Sequence, residues 1–378
     1  MTGTEVNSVN PGPRVRNRFR RIAAGWDARR PRKAPPAGLG PAAGRVEAPT
    51  GGTGRTPARP AGVRPSPLPA PMADAVSWSL HHLPRLPGRL AVVTGANSGI
   101  GLETTRGLAA LGARVILACR DEPRGAAAAA DVRASLPGAD LEVRRLDLAS
   151  LDSVRRFAEA VEEPVDVLVN NAGVMAVPRR TETDDGFETQ FGVNVLGHYA
   201  LTARLLPRVL AADAGRVVWL SSIAHKRGRI RLDDLNAERD YDPWRAYQQS
   251  KLADLMLAVE LDRRLEGTSA ISVAAHPGLS STELTEDMND GSWLKSLVID
   301  RLIPLASMPA WKGALPSLVA AASPDVAGGA YVGPQGFRDM RGEPGPAELA
   351  PQATDRETAA ALLAACERLT GMPLPLDA

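Results

Sequence analysis

The sequence predicts a doubly wound α/β fold for residues 86–378, in which a mostly parallel sheet carries helices on both faces and forms a single domain. Six apolar, β-rich runs are separated by Ala-, Leu-, Arg- and Glu-rich stretches that are long enough for crossover helices. Near-continuous apolar strands that alternate with helices are typical of a parallel sheet covered on both faces. The runs are, in order, RLAVVTG, RVILACR, LEVRRLDL, VDVLVNNAG, GRVVWLSS and AISVAAHPG.

Residues 1–85 are rich in Pro, Gly, Ala and Arg and show neither helical nor strand periodicity. They bury too little apolar surface to offset the entropy of ordering, so we expect a disordered Pro/Arg-rich arm. Residues 1–71 carry thirteen Lys and Arg against three Asp and Glu, a formal charge of +10, and the remaining chain carries −8. The alternatives are a nucleic-acid-binding arm, a regulatory tail, an organellar transit peptide, whose amphipathic helix the prolines oppose, or a true start at Met72.

The two cysteines, Cys119 and Cys366, permit at most one disulfide and no four-ligand zinc site. So few cysteines fit a reducing cytoplasm most simply. No group of His, Asp and Glu has metal-ligand spacing, so no metal is expected. The most apolar stretch, LKSLVIDRLIPLASMPAW, contains Lys295, Asp300 and Arg301. A membrane span is therefore not expected, although this stretch could attach to a membrane surface.

A glycine turn, VVTGANSGIG, follows the first predicted strand and opens a helix. Glycine allows a tight turn and close approach of backbone N–H groups to a pyrophosphate, which the helix N-terminus also favours. The spacing is G-x3-G-x-G and differs from the common dinucleotide fingerprint. The context nevertheless predicts a Rossmann-type nucleotide site, with the contacts made by Gly95, Asn97, Ser98, Gly99, Ile100 and Gly101.

The end of the second predicted strand bears on the choice of nucleotide. Arg120 lies 19 positions after Gly101, where an Arg suits the 2′-phosphate of NADP and an acidic residue suits the ribose of NAD. Asp121 follows immediately and could serve NAD instead. The sequence favours NADP and leaves NAD open.

Further motifs follow the glycine turn along the chain. They are LDL (146–148), NNAG (170–173), VNVLGHY (193–199), LSSIAH (220–225), YQQSK (247–251) and HPG (276–278). Over residues 88–335 this ordered set resembles the short-chain dehydrogenase/reductase family. ACRD and SSIAHKRGRIRLDDLN are similar to its branch of retinol dehydrogenases, protochlorophyllide reductases and WW-domain oxidoreductases, although Trp26 and Trp78 form no WW module. The resemblance implies an NAD(P)-dependent enzyme that interconverts an alcohol and a ketone or aldehyde.

The resemblance also assigns the residues that hold the cofactor. It implies that Asp147 and Leu148 flank the adenine and that the NNAG turn lines the cofactor through Asn171, Ala172 and Gly173. It further implies that Pro277, Gly278 and Thr282 hold the nicotinamide end.

Tyr247 and Lys251 are four positions apart, so on a helix they share a face, about 6 Å apart along the axis. Carbonyl reduction needs a proton donor for the oxygen, and a tyrosine with an ordinary pKa of about 10 is protonated at neutral pH. A nearby cation stabilises the phenolate. The resemblance implies that Tyr247 is the acid/base group and that Lys251 assists it. Both are expected to contact the cofactor, Lys251 at the nicotinamide ribose.

Two more residues complete the catalytic set that the resemblance implies. Ser222 has a hydroxyl that could polarise the substrate oxygen, and the family pattern favours it over Ser221. Asn194 is implied to anchor a water that relays protons through Lys251. His198 and His225 have no partner pattern and are expected to be structural.

The segment after HPG, about 280–315, is expected to be a lid over an apolar small-molecule substrate because it contains Leu, Ile, Met and Trp. Apart from the alternative of a nucleic-acid-binding arm, no nucleic-acid partner is expected, and a homo-oligomer is compatible with the sequence. The alternative function is a non-catalytic nucleotide-sensing or scaffolding protein that acts through its basic arm. The complete set of Asn194, Ser222, Tyr247 and Lys251 argues against that alternative.

Overall fold

The computed structural model describes residues 80–279 and 308–376, and within these ranges it contains one sheet of eight strands. The strand order is β3-β2-β1-β4-β5-β6-β7-β8, parallel throughout except for the antiparallel pair β7–β8. The strands are β1 (Leu90–Thr94), β2 (Arg114–Cys119), β3 (Leu141–Arg145), β4 (Val167–Asn170), β5 (Arg216–Leu220), β6 (Ile271–Ala275), β7 (Tyr331–Pro334) and β8 (Pro344–Pro346).

Seven main helices connect and cover the strands. They are α1 (Gly99–Ala110), α2 (Glu122–Ser135), α3 (Leu151–Glu159), α4 (His198–Leu210), α5 (Pro243–Arg264), α6 (Ala310–Ala322) and α7 (Arg356–Thr370). Side-chain caps start several of them: Asp121 accepts from the Arg124 amide before α2, and Asp242 accepts from the Arg245 amide before α5. Among the described residues, no helix is both long and apolar enough to cross a bilayer.

The sheet separates two apolar cores. One core contains residues of α1, α2 and α6, such as Leu108, Val132 and Leu318. The opposite core contains residues of α3, α4, α5 and α7, such as Phe157 and Leu205. Both faces of the inner strands β1, β2, β4, β5 and β6 are therefore buried, which explains their near-continuous apolar sequences.

The predicted fold class is confirmed, and the six predicted runs form β1 to β6. The two further strands, YVGP and PGP, were not predicted because they are short and rich in Gly and Pro, which rarely indicate strands. Residues 1–79 of the predicted arm and 280–307 of the predicted lid lie outside the described residues. Residues 310–315 begin α6, where Ala314 and Leu315 are buried in the core, so this part of the expected lid packs inside the domain.

Candidate active site

The sheet topology places the site at the carboxyl ends of β1, β4, β5 and β6. The winding reverses beside β1, because β2 lies on one side of it and β4 on the other. In open α/β sheets, ligands bind in the crevice at this point. The glycine turn leaves β1 at this edge, and the NNAG turn leaves β4 next to it.

The glycine turn and the NNAG turn are packed so closely that neither has room for larger residues. A Cβ added to Gly101 would lie 2.3 Å from the Gly95 carbonyl oxygen and 2.5 Å from Asn171 Nδ2. Gly95 itself has a φ of +65°, which favours glycine. The cradle is thus a backbone surface at the N-terminus of α1, as a pyrophosphate site requires.

Thr94, the last residue of β1, holds the two turns together. Its Oγ1 accepts hydrogen bonds from the amides of Asn171 (2.9 Å) and Ala172 (3.0 Å), while Asn171 Nδ2 donates to the Thr94 carbonyl oxygen (2.7 Å). Of the other predicted turn residues, Asn97 is half-buried, Ser98 is exposed and Ile100 is buried. Their contact with a nucleotide stays a prediction.

The residues predicted to select and hold the adenosine half lie at the neighbouring strand ends. Arg120 is exposed directly after β2. Asp121 is exposed too, but its carboxylate caps α2 by accepting from the Arg124 amide at 2.9 Å. Asp147 is half-buried after β3 and accepts from the Ala149 amide, and Leu148 is buried.

Tyr247 and Lys251 both lie on the buried face of α5, where they are 4% and 5% exposed. The Lys251 ammonium donates to the Leu220 carbonyl oxygen and to Asp254 Oδ2, at 2.9 Å in each case. A Cβ added to Gly173 would lie 3.6 Å from Lys251 Nζ and 3.2 Å from Asn194 Oδ1. The NNAG turn, the lysine and the asparagine therefore meet at one corner.

Asn194 braces this corner with its whole side chain. Its Oδ1 accepts from the Val174 amide (2.8 Å), and its Nδ2 donates to the Val174 carbonyl oxygen (3.0 Å) and to Ser250 Oγ (2.9 Å). Ser250 in turn donates to the Tyr247 carbonyl oxygen at 2.9 Å. Asn194 thus ties the segment after the NNAG turn to the helix that carries the tyrosine. The water relay through Asn194 stays a prediction.

Asn194 lies in a wider helical turn than the sequence indicated. The helix begins at Thr189–Phe191, passes through a π-helical segment at Gly192–Gly197 and continues as α4. Such single π segments occur frequently at functional sites. Here the widened turn coincides with the residue that reaches Val174 and Ser250.

The two adjacent serines at the end of β5 have different partners. Ser221 Oγ is buried and donates to the Lys251 carbonyl oxygen at 2.7 Å, which ties β5 to α5. Ser222 Oγ accepts from the Ala224 amide at 3.3 Å and caps the 3₁₀ segment Ile223–Arg227. Because the Ser222 hydroxyl keeps its proton for another acceptor, this arrangement is consistent with the choice of Ser222 over Ser221.

The histidines near the site are buried and neutral. His198 hydrogen-bonds with the Asn194 carbonyl oxygen (2.8 Å) and with Thr94 Oγ1 (2.9 Å), and burial lowers its pKa to about 3. His225 hydrogen-bonds with the Ser222 carbonyl oxygen (2.7 Å), and burial lowers its pKa too. Both contacts fit the expected structural roles.

The HPG turn follows β6, which pairs with β5, the strand that precedes Ser222. Gly278 has a φ of +75°, and a Cβ there would lie 2.5 Å from the Met340 carbonyl oxygen and 3.0 Å from the methyl group of Met308. Pro277 is buried. Thr282, also predicted to contact the nicotinamide end, lies outside the described residues. Within the described ranges, no three His, Cys, Asp or Glu residues are grouped as a metal site.

Ser250 and Asp254 were not predicted from the sequence, although both lie on the face of α5 that carries Tyr247 and Lys251. Ser250 connects Asn194 to the backbone of Tyr247, and Asp254 forms a buried ion pair with Lys251. The i,i+3 spacing from Lys251 to Asp254 was a usable signal, because such residues are neighbours on a helix.

The fold and the arrangement of the site are those expected of a nucleotide-binding dehydrogenase of the doubly wound class. The short chain dehydrogenase family model matches residues 89–293. Over 297 residues, 77% of this chain and 87% of the relative, the chain is 42% identical to human retinol dehydrogenase 13. It is 48% identical over 206 residues to mouse retinol dehydrogenase 12, covering 54% of this chain and 65% of that protein.

A solved structure supports the same assignment. An uncharacterized protein from Mycobacterium paratuberculosis is 44% identical, with a TM-score of 0.66 over 79% of this chain and 99% of that one. The chain therefore belongs to the short-chain dehydrogenase/reductase family, and the predicted resemblance to its retinol-dehydrogenase-like branch is confirmed. It is therefore an oxidoreductase that acts on alcohol or carbonyl groups.

Proposed function

We propose that the protein is an NADP-preferring oxidoreductase that interconverts a bulky apolar alcohol and its aldehyde or ketone, with Tyr247 as the acid/base group. The observation that carries the proposal is the convergence of Lys251 and Asn194 on Gly173, just after β4, together with the tie from Asn194 through Ser250 to the backbone of Tyr247. An NADP molecule fits the residues present, because the cradle at Gly95 and Gly101 is backbone-lined and closed to larger side chains.

NADP in its reduced form would supply the hydride to the carbonyl carbon. Ser222 would hydrogen-bond the substrate oxygen and so stabilise the negative charge that develops on it. The phenol of Tyr247 would give its proton to that oxygen, and the ammonium of Lys251 would stabilise the phenolate left behind. Asn194 would hold α5 in place beside the NNAG turn.

The preference for NADP is supported by the surroundings of Arg120 and Asp121. The Arg120 side chain is exposed at the end of β2, where a guanidinium can pair with a 2′-phosphate. The Asp121 carboxylate caps α2, so its use for a ribose would compete with that cap. This pattern favours NADP over NAD.

An apolar substrate is supported by the residues around the site. Trp244, which is 44% exposed, has its ring edge-on to Tyr247 with the ring centroids 6.2 Å apart. Met308 and Pro334 pack against Gly278. The similarity to retinol dehydrogenases 12 and 13 agrees with a long apolar alcohol or aldehyde. Free, buried Cys119 and Cys366 suit the cytoplasm, which we propose as its location.

The test is turnover by the purified full-length protein with NADPH or NADH and a panel of aldehydes that includes retinal, long-chain aldehydes and short polar aldehydes. We expect loss of nicotinamide absorbance with NADPH and the apolar members. Turnover of the polar aldehydes alone would refute the substrate class. A protein that binds NADPH or NADH but turns over no combination of nucleotide and aldehyde would favour the non-catalytic alternative.

A further inference from the structure

An acidic residue lies where the proposed reaction needs a positive charge. Asp254 Oδ2 is 2.9 Å from Lys251 Nζ, and the two side chains are 2% and 7% exposed. The other carboxylate oxygen, Oδ1, is buried and has no hydrogen-bond partner among the described residues. A buried ammonium is stabilised by a carboxylate at this distance, but the same carboxylate offsets its charge.

The buried His and Cys side chains on the neighbouring elements are neutral. From α4, His198 is neutral, because burial lowers its pKa to about 3. From α7, the Cys366 thiol is buried close to Asp254, and burial raises its pKa. His225, after β5, also has a lowered pKa owing to burial. None of these groups carries a charge at neutral pH.

We propose that Asp254 is a positioning residue that holds the Lys251 ammonium and offsets its charge, so that Tyr247 keeps its proton to higher pH and the site favours carbonyl reduction. The ion pair between Asp254 and Lys251 is seen in the structure. The effect on carbonyl reduction rests on the proposed function. A net-neutral pair stabilises the phenolate less than a lone ammonium would, so at a given pH more of Tyr247 is in the protonated form that reduction requires and less is in the phenolate form that oxidation requires.

The effect of Asp254 on the protonation of Tyr247 depends on pH. Burial raises the pKa of Asp254 to about 6, with the Lys251 ammonium opposing the rise. Above that pH the carboxylate is ionised and offsets the ammonium. Below it Asp254 is neutral and Tyr247 experiences the full lysine charge. The difference between the wild-type protein and an Asp254→Asn variant should therefore appear above about pH 6.

The size of the effect follows from the helix. Tyr247 and Asp254 are seven residues apart on α5, about 10 Å along the axis. A unit charge at that distance, in a protein medium with an effective dielectric constant of about 20, shifts a titration by about one pH unit. At a given pH below the midpoint, Asp254→Asn should thus hold about tenfold more Tyr247 as tyrosinate.

The direct measurement is the tyrosinate absorbance as a function of pH. It is recorded for the wild-type protein and for Asp254→Asn, each with Tyr247 present and with Tyr247→Phe. The other three of the four tyrosines cancel in the difference. We expect Asp254→Asn to lower the midpoint of the Tyr247-dependent signal by about one pH unit. Asp262→Asn, the same change on the same helix at about 22 Å from Tyr247, is the matched control and should leave the midpoint unchanged.

A kinetic measurement tests the consequence. In Asp254→Asn, the pH profile of kcat/KM for alcohol oxidation should move to lower pH by the same interval as the tyrosinate midpoint. Thermal unfolding checks that each variant is folded. If Asp254→Asn does not fold, Asp254→Ser, which leaves room for water beside Lys251, takes its place. An unchanged or raised midpoint overturns the proposal. If the wild-type protein turns over no substrate, the proposed function fails, and the absorbance titration still decides the role of Asp254.

Discussion

Replacing Asn194 with alanine removes three side-chain hydrogen bonds from the centre of the site. Two of them satisfy the N–H and the carbonyl of Val174, and the third reaches Ser250. At about 1 kcal/mol net for each bond, we expect Asn194→Ala to lower the free energy of unfolding by about 3 kcal/mol. Asn170→Ala, which removes one bond from another buried asparagine, should cost about 1 kcal/mol.

The same change should affect turnover, because Asn194 connects the turn after β4 to the helix that carries Tyr247. We expect kcat to fall at least about tenfold in Asn194→Ala, since small displacements of reacting groups are costly. Ser250→Ala, which removes the link to α5 alone, should lower kcat by a smaller factor. Urea unfolding and turnover with an apolar aldehyde give the two quantities. The bracing role is wrong if Asn194→Ala is no less stable than Asn170→Ala and keeps wild-type kcat.

Three further predictions concern the nucleotide and the pH dependence of stability. Gly101→Ala should weaken binding of NADPH and NADH alike, by at least about tenfold in titrations, because its Cβ would meet the Gly95 carbonyl oxygen at 2.3 Å; unaltered affinity would contradict the cradle. Arg120→Ala should weaken NADPH binding far more than NADH binding, and equal losses would contradict the NADP preference. The free energy of unfolding, measured in urea at several pH values, should decrease as the pH is lowered from about 6 to 4. Burial lowers the pKa of His198 and His276 to about 3 and also lowers the pKa of His225, so these side chains bind protons more readily in the unfolded protein and destabilise the fold below about pH 6.5. Burial raises the pKa of Asp254 to about 6, which offsets part of this loss; a profile that is flat, or that rises towards low pH, would contradict the prediction.

Much of the site could be predicted from the sequence, because its residues follow strand ends that apolar runs mark clearly. Parallel strands bring their carboxyl ends to one edge, so the glycine turn and the NNAG turn had to meet. The i,i+4 spacing of Tyr247 and Lys251 likewise places both on one face of α5.

What the sequence left open depends on contacts between distant elements. The bond from Ser221 to the Lys251 carbonyl oxygen distinguishes the two serines, and it crosses from β5 to α5. Bracing of Val174 by Asn194 depends on the π-helical segment, which has no reliable sequence signal. The short strands β7 and β8 form through pairing with the sheet edge and lack the composition of ordinary strands.

The central claim is that Tyr247 transfers the proton, and Tyr247→Phe tests it most directly. The variant keeps the ring against Trp244 and removes only the hydroxyl, so the protein should still fold and bind NADPH. We predict that kcat for reduction of an apolar aldehyde falls about 100- to 10,000-fold, the usual contribution of a general acid. Wild-type kcat in a folded Tyr247→Phe protein that binds NADPH would contradict the account.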